Sequence, residues 1–317
     1  MSAAVIAAPG RLELKEVPVP EVAVDGLLIR VEGCGVCASN LPRWKGMPWF
    51  TYPSEPGELG HEGVGRVEAV GTTVRDFSPG DRVAFLSNHA YAGYDVANAS
   101  EAVKLPSALE RDVLPGEPLG CAWNVHQRSG ISAGSQVAIV GGGFLGILLG
   151  QLALNAGAKV FIVSRRPLDP FVLETLPGVE TIVASDAAAV VAKLEAVTPG
   201  RLCDVVVEAA GTQDALDVAA KLTRIRGRLV IAGYHQDAPR QIDMQLWNWR
   251  GLDVINAHER EVAVYVEGMR RAYKAVEAAI LNPRPLITHH LPLAELGDAL
   301  EFARTRPPGF VKAVVYP

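Results

Sequence analysis

Four short stretches of this chain hold side chains whose chemistry and spacing suit a metal ion or a nucleotide. GCGVCASN carries Cys34 and Cys37, PGELGHEGVGRVEAVG carries His61 and Glu62, and GEPLGCAW carries Glu117 and Cys121. Thiolate, imidazole and carboxylate are the usual donors to zinc. Taken singly, each admits another reading. A CxxC pair is also a redox motif, although no thioredoxin-like order of elements surrounds this one, and a lone histidine is equally a buried structural residue. The combination says more than its parts.

The fourth stretch, VAIVGGGFLG, sets Gly141, Gly143 and Gly146 in G-x-G-x-x-G spacing, with Phe144 and Leu145 opening the helix that follows. In such a turn the first glycine makes the bend and the second lets the backbone approach a pyrophosphate. The third lets the helix pack closely, and the helix amino terminus attracts the anion. A glycine turn without ligand has the same spacing; the strand before it and the helix after it favour a dinucleotide. The next strand, KVFIV, ends in Ser164, Arg165 and Arg166, where NAD-preferring folds place an acid for the ribose hydroxyls. A hydroxyl and two guanidinium groups suit a 2′-phosphate, so NADP(H) is expected over NAD(H). The plainer alternative is a solvated arginine pair.

These groups must be positioned by two kinds of domain. The first 120 or so residues read as short strands with frequent Pro and Gly turns, among them LLIRVEGCGV, EGVGRVEAVG and GDRVAFL. From about Gly134, apolar runs alternate with helical stretches (QVAIVG, KVFIVS, DVVVEAAG, RLVIAG), the pattern of a doubly wound parallel sheet. Ala210 and Gly233 follow later strands of that sheet, at the carboxyl edge where ligands bind. After LDVINA the alternation stops. YVEGMRRAYKAVEAAIL predicts an amphipathic helix, and FVKAVVYP a closing strand returned to the first domain. The expected division is therefore 1–121 with 258–317, and 122–257.

The chain has 317 residues, enough for two domains, with 49% apolar and 21% charged residues. A net charge of -5 provides no broad positive field, so nucleic acid is not an expected partner. The amino terminus lacks the basic start and cleavage site of a signal peptide, and the longest apolar run is broken by Gly, Asn and Lys before it could cross a bilayer. Four scattered cysteines suit a reducing cytoplasm.

In the order and content of GCGVCASN, GHEGVGRVEAVG, PGDRVAF, GEPLGCAW, VGGGFLG and the closing strand, the chain resembles the medium-chain dehydrogenase/reductase superfamily. The likeness is to its zinc alcohol dehydrogenases and sorbitol dehydrogenase-like polyol branch. The resemblance covers essentially the whole chain. It implies a GroES-like β-rich catalytic domain beside a Rossmann cofactor domain, and a homodimer or homotetramer sharing a sheet edge. It implies one catalytic zinc and a small alcohol or ketone substrate. Cys37 and His61 would be ligands, with Glu62 beside the metal and Cys34 structural. The third protein ligand is Glu117 in polyol enzymes or a cysteine four residues later in many alcohol dehydrogenases, and this chain has both Glu117 and Cys121. The distance from Glu117 to Gly141 matches the polyol branch. Ser39 matches the hydroxyl that passes the alcohol proton outward, and Asn256, before His258, matches the return to the catalytic domain beside the nicotinamide.

Two positions depart from that pattern. Asn40 replaces an aspartate that orients the histidine ligand, and Pro42 replaces a relay histidine. Only LSNHA separates Phe85 from Tyr91, where many relatives insert a lobe holding a structural zinc, so no structural zinc is expected. Trp44, Trp49, Phe50, Trp247 and Trp249 are candidates for a substrate cleft or for packing, and His89, Tyr91 and His235 for contact with substrate or phosphate. A zinc-free quinone or enone reductase and a non-catalytic NADPH-binding protein are the rival readings.

Overall fold

The computed structural model describes every residue of the chain except Ser185 and Pro199. Among the described residues the strands are β1 (Ser2–Ala8), β2 (Arg11–Glu16), β3 (Gly26–Gly35), β4 (Gly63–Val70), β5 (Arg82–Phe85), β6 (Tyr94–Asn98) and β7 (Ala102–Lys104). Then come β8 (Gln136–Val140), β9 (Lys159–Ser164), β10 (Glu180–Val183), β11 (Cys203–Glu208), β12 (Thr223–Ile231), β13 (Asp253–Asn256), β14 (Ile287–Pro292) and β15 (Lys312–Tyr316). The chain divides into two units. The first is Met1–Gly120, Glu261–Glu277 and Leu286–Pro317; the second is Cys121–Arg260 and Ala278–Pro285.

In the first unit a seven-stranded sheet runs β14-β15-β3-β4-β5-β7, with β6 also paired to β3. Alternating apolar residues put Ile29, Val67, Val83, Phe85 and Val315 into one core, closed by Leu296 and Leu300 of the helix Leu296–Thr305. Cys34 lies in that core, 1% exposed, and burial pushes its thiol pKa well up, as fits a packing residue. The antiparallel register includes Cys34↔Gly63. It brings the segment after β3, with Cys37, alongside the segment before β4, with His61 and Glu62.

The second unit is a six-stranded, wholly parallel sheet in the order β10-β9-β8-β11-β12-β13. Both faces of β8 and β11 are buried, which explains why QVAIV and DVVVE read as continuous apolar runs instead of alternating. The helix Phe144–Asn155 packs so tightly on this sheet that a Cβ at Gly146 would stand 1.9 Å from the Gly141 carbonyl oxygen. Gly141 itself has φ +129°.

The boundaries differ from the sequence expectation. Cys121, residues 258–260 and residues 278–285 belong with the second unit. The physical tie for the last of these is Gln151, which accepts from the Asn282 backbone N–H at 2.9 Å and donates to its carbonyl at 3.4 Å. The predicted amphipathic helix is Val262–Glu277, ending shortly before Ala279 turns left-handed. No helix among the described residues is long and apolar enough to cross a membrane.

Gly146→Ala should destabilise the protein by about 1–3 kcal/mol or more, since the obstacle is backbone, not a movable side chain. Urea denaturation measures this, and an unchanged midpoint would contradict the close packing.

Candidate functional site

The ligand atoms of Cys37, His61 and Glu62 converge within 4.8 Å of one another. Cys37 caps the short 3-10 turn Ala38–Asn40, its sulfur accepting from the Ser39 N–H at 3.5 Å. His61 Nδ1–H donates to the Leu59 carbonyl at 2.9 Å, and Nε2 lies 3.5 Å from Ser39 Oγ. Burial disfavours charge on His61. The hydrogen bond and charge of Cys37, with the charges of Glu117 and Glu62, outweigh it and push the pKa up to about 10.

Glu62 is 1% exposed, and Lys312 Nζ stands 2.6 Å from each of its oxygens, hydrogen-bonded to Oε1 and ion-paired with Oε2. Oε2 has no hydrogen bond. Gly35 makes room for it, because a Cβ there would lie 1.9 Å from Oε2. A buried carboxylate oxygen without a hydrogen bond, beside a thiol and an imidazole, is a donor set that fits zinc. Burial opposes charge on Lys312, yet the carboxylate of Glu62 and the neighbouring Cys37 and Glu117 raise its pKa.

Glu117, in the first turn of the helix Gly116–Ser129, stands outside the converging trio but close enough for its charge to act on His61. It is half-buried, its desolvation raises its pKa, and it accepts a hydrogen bond from the Tyr265 hydroxyl. Cys121 lies one turn further along that helix, in the second unit, and is not one of the trio. Asn40 donates through Nδ2 to Tyr91 Oη at 2.7 Å and accepts from Ser39 Oγ at 3.4 Å, so its amide is committed away from His61. Pro42 is buried and offers no proton. Trp44 is a core residue whose indole N–H donates to Glu301 at 2.6 Å, whereas Trp249 is exposed. His89 faces Glu55 at the surface.

Lys312, Tyr265 and Leu59 were not singled out in the sequence. Only Lys312 had a signal there: a lysine inside the otherwise apolar strand FVKAVVYP asks for a buried partner.

In the second unit the glycine turn lies at the carboxyl end of β8. Gly143 caps the helix Phe144–Asn155 without any side-chain cap bond, which leaves the helix entrance to backbone donors. Ser164 Oγ donates to the Arg166 carbonyl at 2.5 Å, shaping the loop that holds Arg165 and Arg166 at the surface. At the end of β11 the buried Glu208 accepts from the N–H groups of Ala210 and Gly211 at 2.8 and 2.7 Å, and from His235 Nε2 at 2.9 Å. Arg240 Nε donates to the other ring nitrogen of His235 at 2.7 Å. This network braces the loops after β11 and β12, including Gly233. Asn256, at the end of β13, is exposed and accepts from the His258 N–H at 3.3 Å. An acid closing an apolar strand, as Glu208 does, marks a buried charge that needs partners.

Residues 24–108 match the family model for the alcohol dehydrogenase GroES-like domain, and residues 145–281 match that for zinc-binding dehydrogenase. Sorbitol dehydrogenase of Bacillus subtilis (strain 168) is 26% identical, covering 100% of this chain and 97% of the relative. Sorbitol dehydrogenase of Ovis aries is 24% identical over 95% of this chain and 92% of its own. A solved structure described as a zinc-binding dehydrogenase from Sinorhizobium meliloti 1021, bound to NADP, is 28% identical with TM-score 0.81, covering 100% of this chain and 99% of that one. Two domain models in the same order, relatives matching nearly end to end, and a common fold lead to one assignment: the chain belongs to the medium-chain dehydrogenase/reductase superfamily, in its zinc-type, polyol dehydrogenase-like branch.

Proposed function

We propose that this oxidoreductase interconverts a secondary alcohol, of the polyol, sugar or cyclitol class, with its ketone, using one zinc ion and NADP(H). The observation that carries the reading is the convergence of one ligand atom each from Cys37, His61 and Glu62 to within 4.8 Å of one another. Cys37, His61 and Glu62 would hold the metal, with Glu117 as a further ligand or as acceptor for a proton-bearing ligand. When bound, zinc supplies Lewis acidity toward the alcohol oxygen and the nicotinamide supplies or accepts the hydride.

The chain's own groups do the rest. Ser39 Oγ, beside His61 Nε2, hands the hydroxyl proton away from the site. Lys312 balances part of the negative charge and holds Glu62 in place. Gly141, Gly143, Phe144, Leu145 and Gly146 receive the pyrophosphate at a helix entrance, while Ser164, Arg165 and Arg166 receive the 2′-phosphate. Ala210, Gly233 and Asn256 border the nicotinamide end. A relative of 28% identity that binds NADP supports this cofactor preference.

The same reading makes the protein a homodimer or homotetramer in the cytoplasm. It is supported by the largely exposed outer strand β13 and by four free thiols.

Metal analysis combined with NADPH oxidation over a panel of ketones tests the reading: zinc close to one per chain, with chelator-sensitive turnover, is expected. Turnover without metal, or NADPH binding without turnover, would contradict it. Changing Arg165 and Arg166 together to Ala should weaken NADPH by about tenfold or more, equivalent to about 1.4 kcal/mol, and barely alter NADH. Equal losses in fluorescence titrations of the two would remove the basis for NADP preference. A pKa near 10 for His61 means that zinc must displace its proton at neutral pH. Displacing the His61 proton should therefore add about tenfold per pH unit to the loss of zinc affinity on acidification from about pH 8 to about pH 6, beyond the loss due to the Cys37 thiol, and an equal slope for wild type and His61→Ala would contradict the role of His61.

A further inference from the structure

We propose that the left-handed backbone of Leu59, braced by the loop at 87–91, is the device that orients His61 for the metal. The inference rests on the zinc reading above.

His61 has one ring nitrogen to spend on a ligand and must anchor the other. The anchor is the Leu59 carbonyl, 2.9 Å from Nδ1. An acceptor there fixes the proton on Nδ1 and leaves Nε2 as the donor to a metal, the arrangement on which histidine ligands depend. Asn40 does not compete for this task. Its amide nitrogen goes to Tyr91 and its carbonyl oxygen faces Ser39.

Leu59 presents its carbonyl only because its backbone sits at φ +76°, a conformation disfavoured for any residue with a side chain. Such strain persists where neighbouring structure over-determines it. Here the short loop after β5 does so. The Gly60 carbonyl accepts from the Ala90 N–H at 2.9 Å and from Ser87 Oγ at 3.3 Å, and the Gly57 carbonyl accepts from the Tyr91 N–H at 3.2 Å. Gly60 also forms a bridge to His89, and the Leu59 side chain packs on the core of the first unit. Tyr91, from the same loop, donates to the Gly35 carbonyl at 3.1 Å while it receives Asn40. One loop thus clamps both the turn before His61 and the turn after Cys37.

The test compares zinc affinity, by competition with a chromophoric chelator, for wild type, Leu59→Gly and Leu59→Ile. Glycine adopts positive φ freely, whereas isoleucine keeps the volume but resists it. Leu59→Gly should stay within about threefold of wild type, and Leu59→Ile should bind zinc about tenfold or more weakly. Equal affinity for Leu59→Ile and wild type would overturn this inference alone; failure of wild type to bind zinc would overturn it together with the zinc reading. If a variant fails to fold, the zinc-loaded wild type decides the matter by 15N-resolved NMR. A His61 Nδ1–H resonance that exchanges slowly with water supports the carbonyl anchor, and its absence overturns it.

Discussion

A carboxylate taken out of water must find a partner, and in this protein that rule joins two distant segments of the first unit. Glu62 is almost wholly buried, and leaving it ionised there without a counter-charge would cost several kcal/mol. Lys312, 250 residues away in sequence, meets it at 2.6 Å from the start of the closing strand β15. The closing strand therefore has to return to the first unit and lie beside β3, and the register Cys34↔Gly63 then brings Cys37 up to His61.

The pair also fixes the charge of the site. Cys37, Glu62 and Glu117 contribute negative charge when ionised, and Lys312 answers only one of them. The imidazole of His61 holds a proton strongly in this setting, a sign that the cluster attracts positive charge. A divalent cation in place of that proton would bring the thiolate, the two carboxylates and the ammonium group to neutrality. The lysine thus stabilises the fold and limits the excess negative charge that a bound cation would have to satisfy, two roles that one side chain can fill because the site is buried.

Much of this was legible in the sequence, for physical reasons that differ by element. The strand-turn-helix at Gly141 to Gly146 could be read because close packing leaves no room for a Cβ at Gly146, so the turn is written as glycine. The parallel sheet could be read because strands covered on both faces become continuous apolar runs. The convergence of Cys37 with His61 and Glu62 was legible because thiolate and imidazole are uncommon in such spacing. The Leu59 carbonyl was invisible, since every residue has one and only backbone geometry aims it. Tyr265 reaches Glu117 across 148 positions, a distance that no local pattern encodes. The tie of residues 278–285 to the second unit is not written in any local pattern, because a side chain, Gln151, makes it rather than a strand or helix.

X-ray absorption at the zinc edge of the zinc-loaded protein tests the central claim most directly, because it counts sulfur donors without relying on turnover. The account predicts a single sulfur, from Cys37, with nitrogen and oxygen atoms completing the shell. Two sulfurs would bring in a second cysteine such as Cys121, and none would remove Cys37; either result would contradict it.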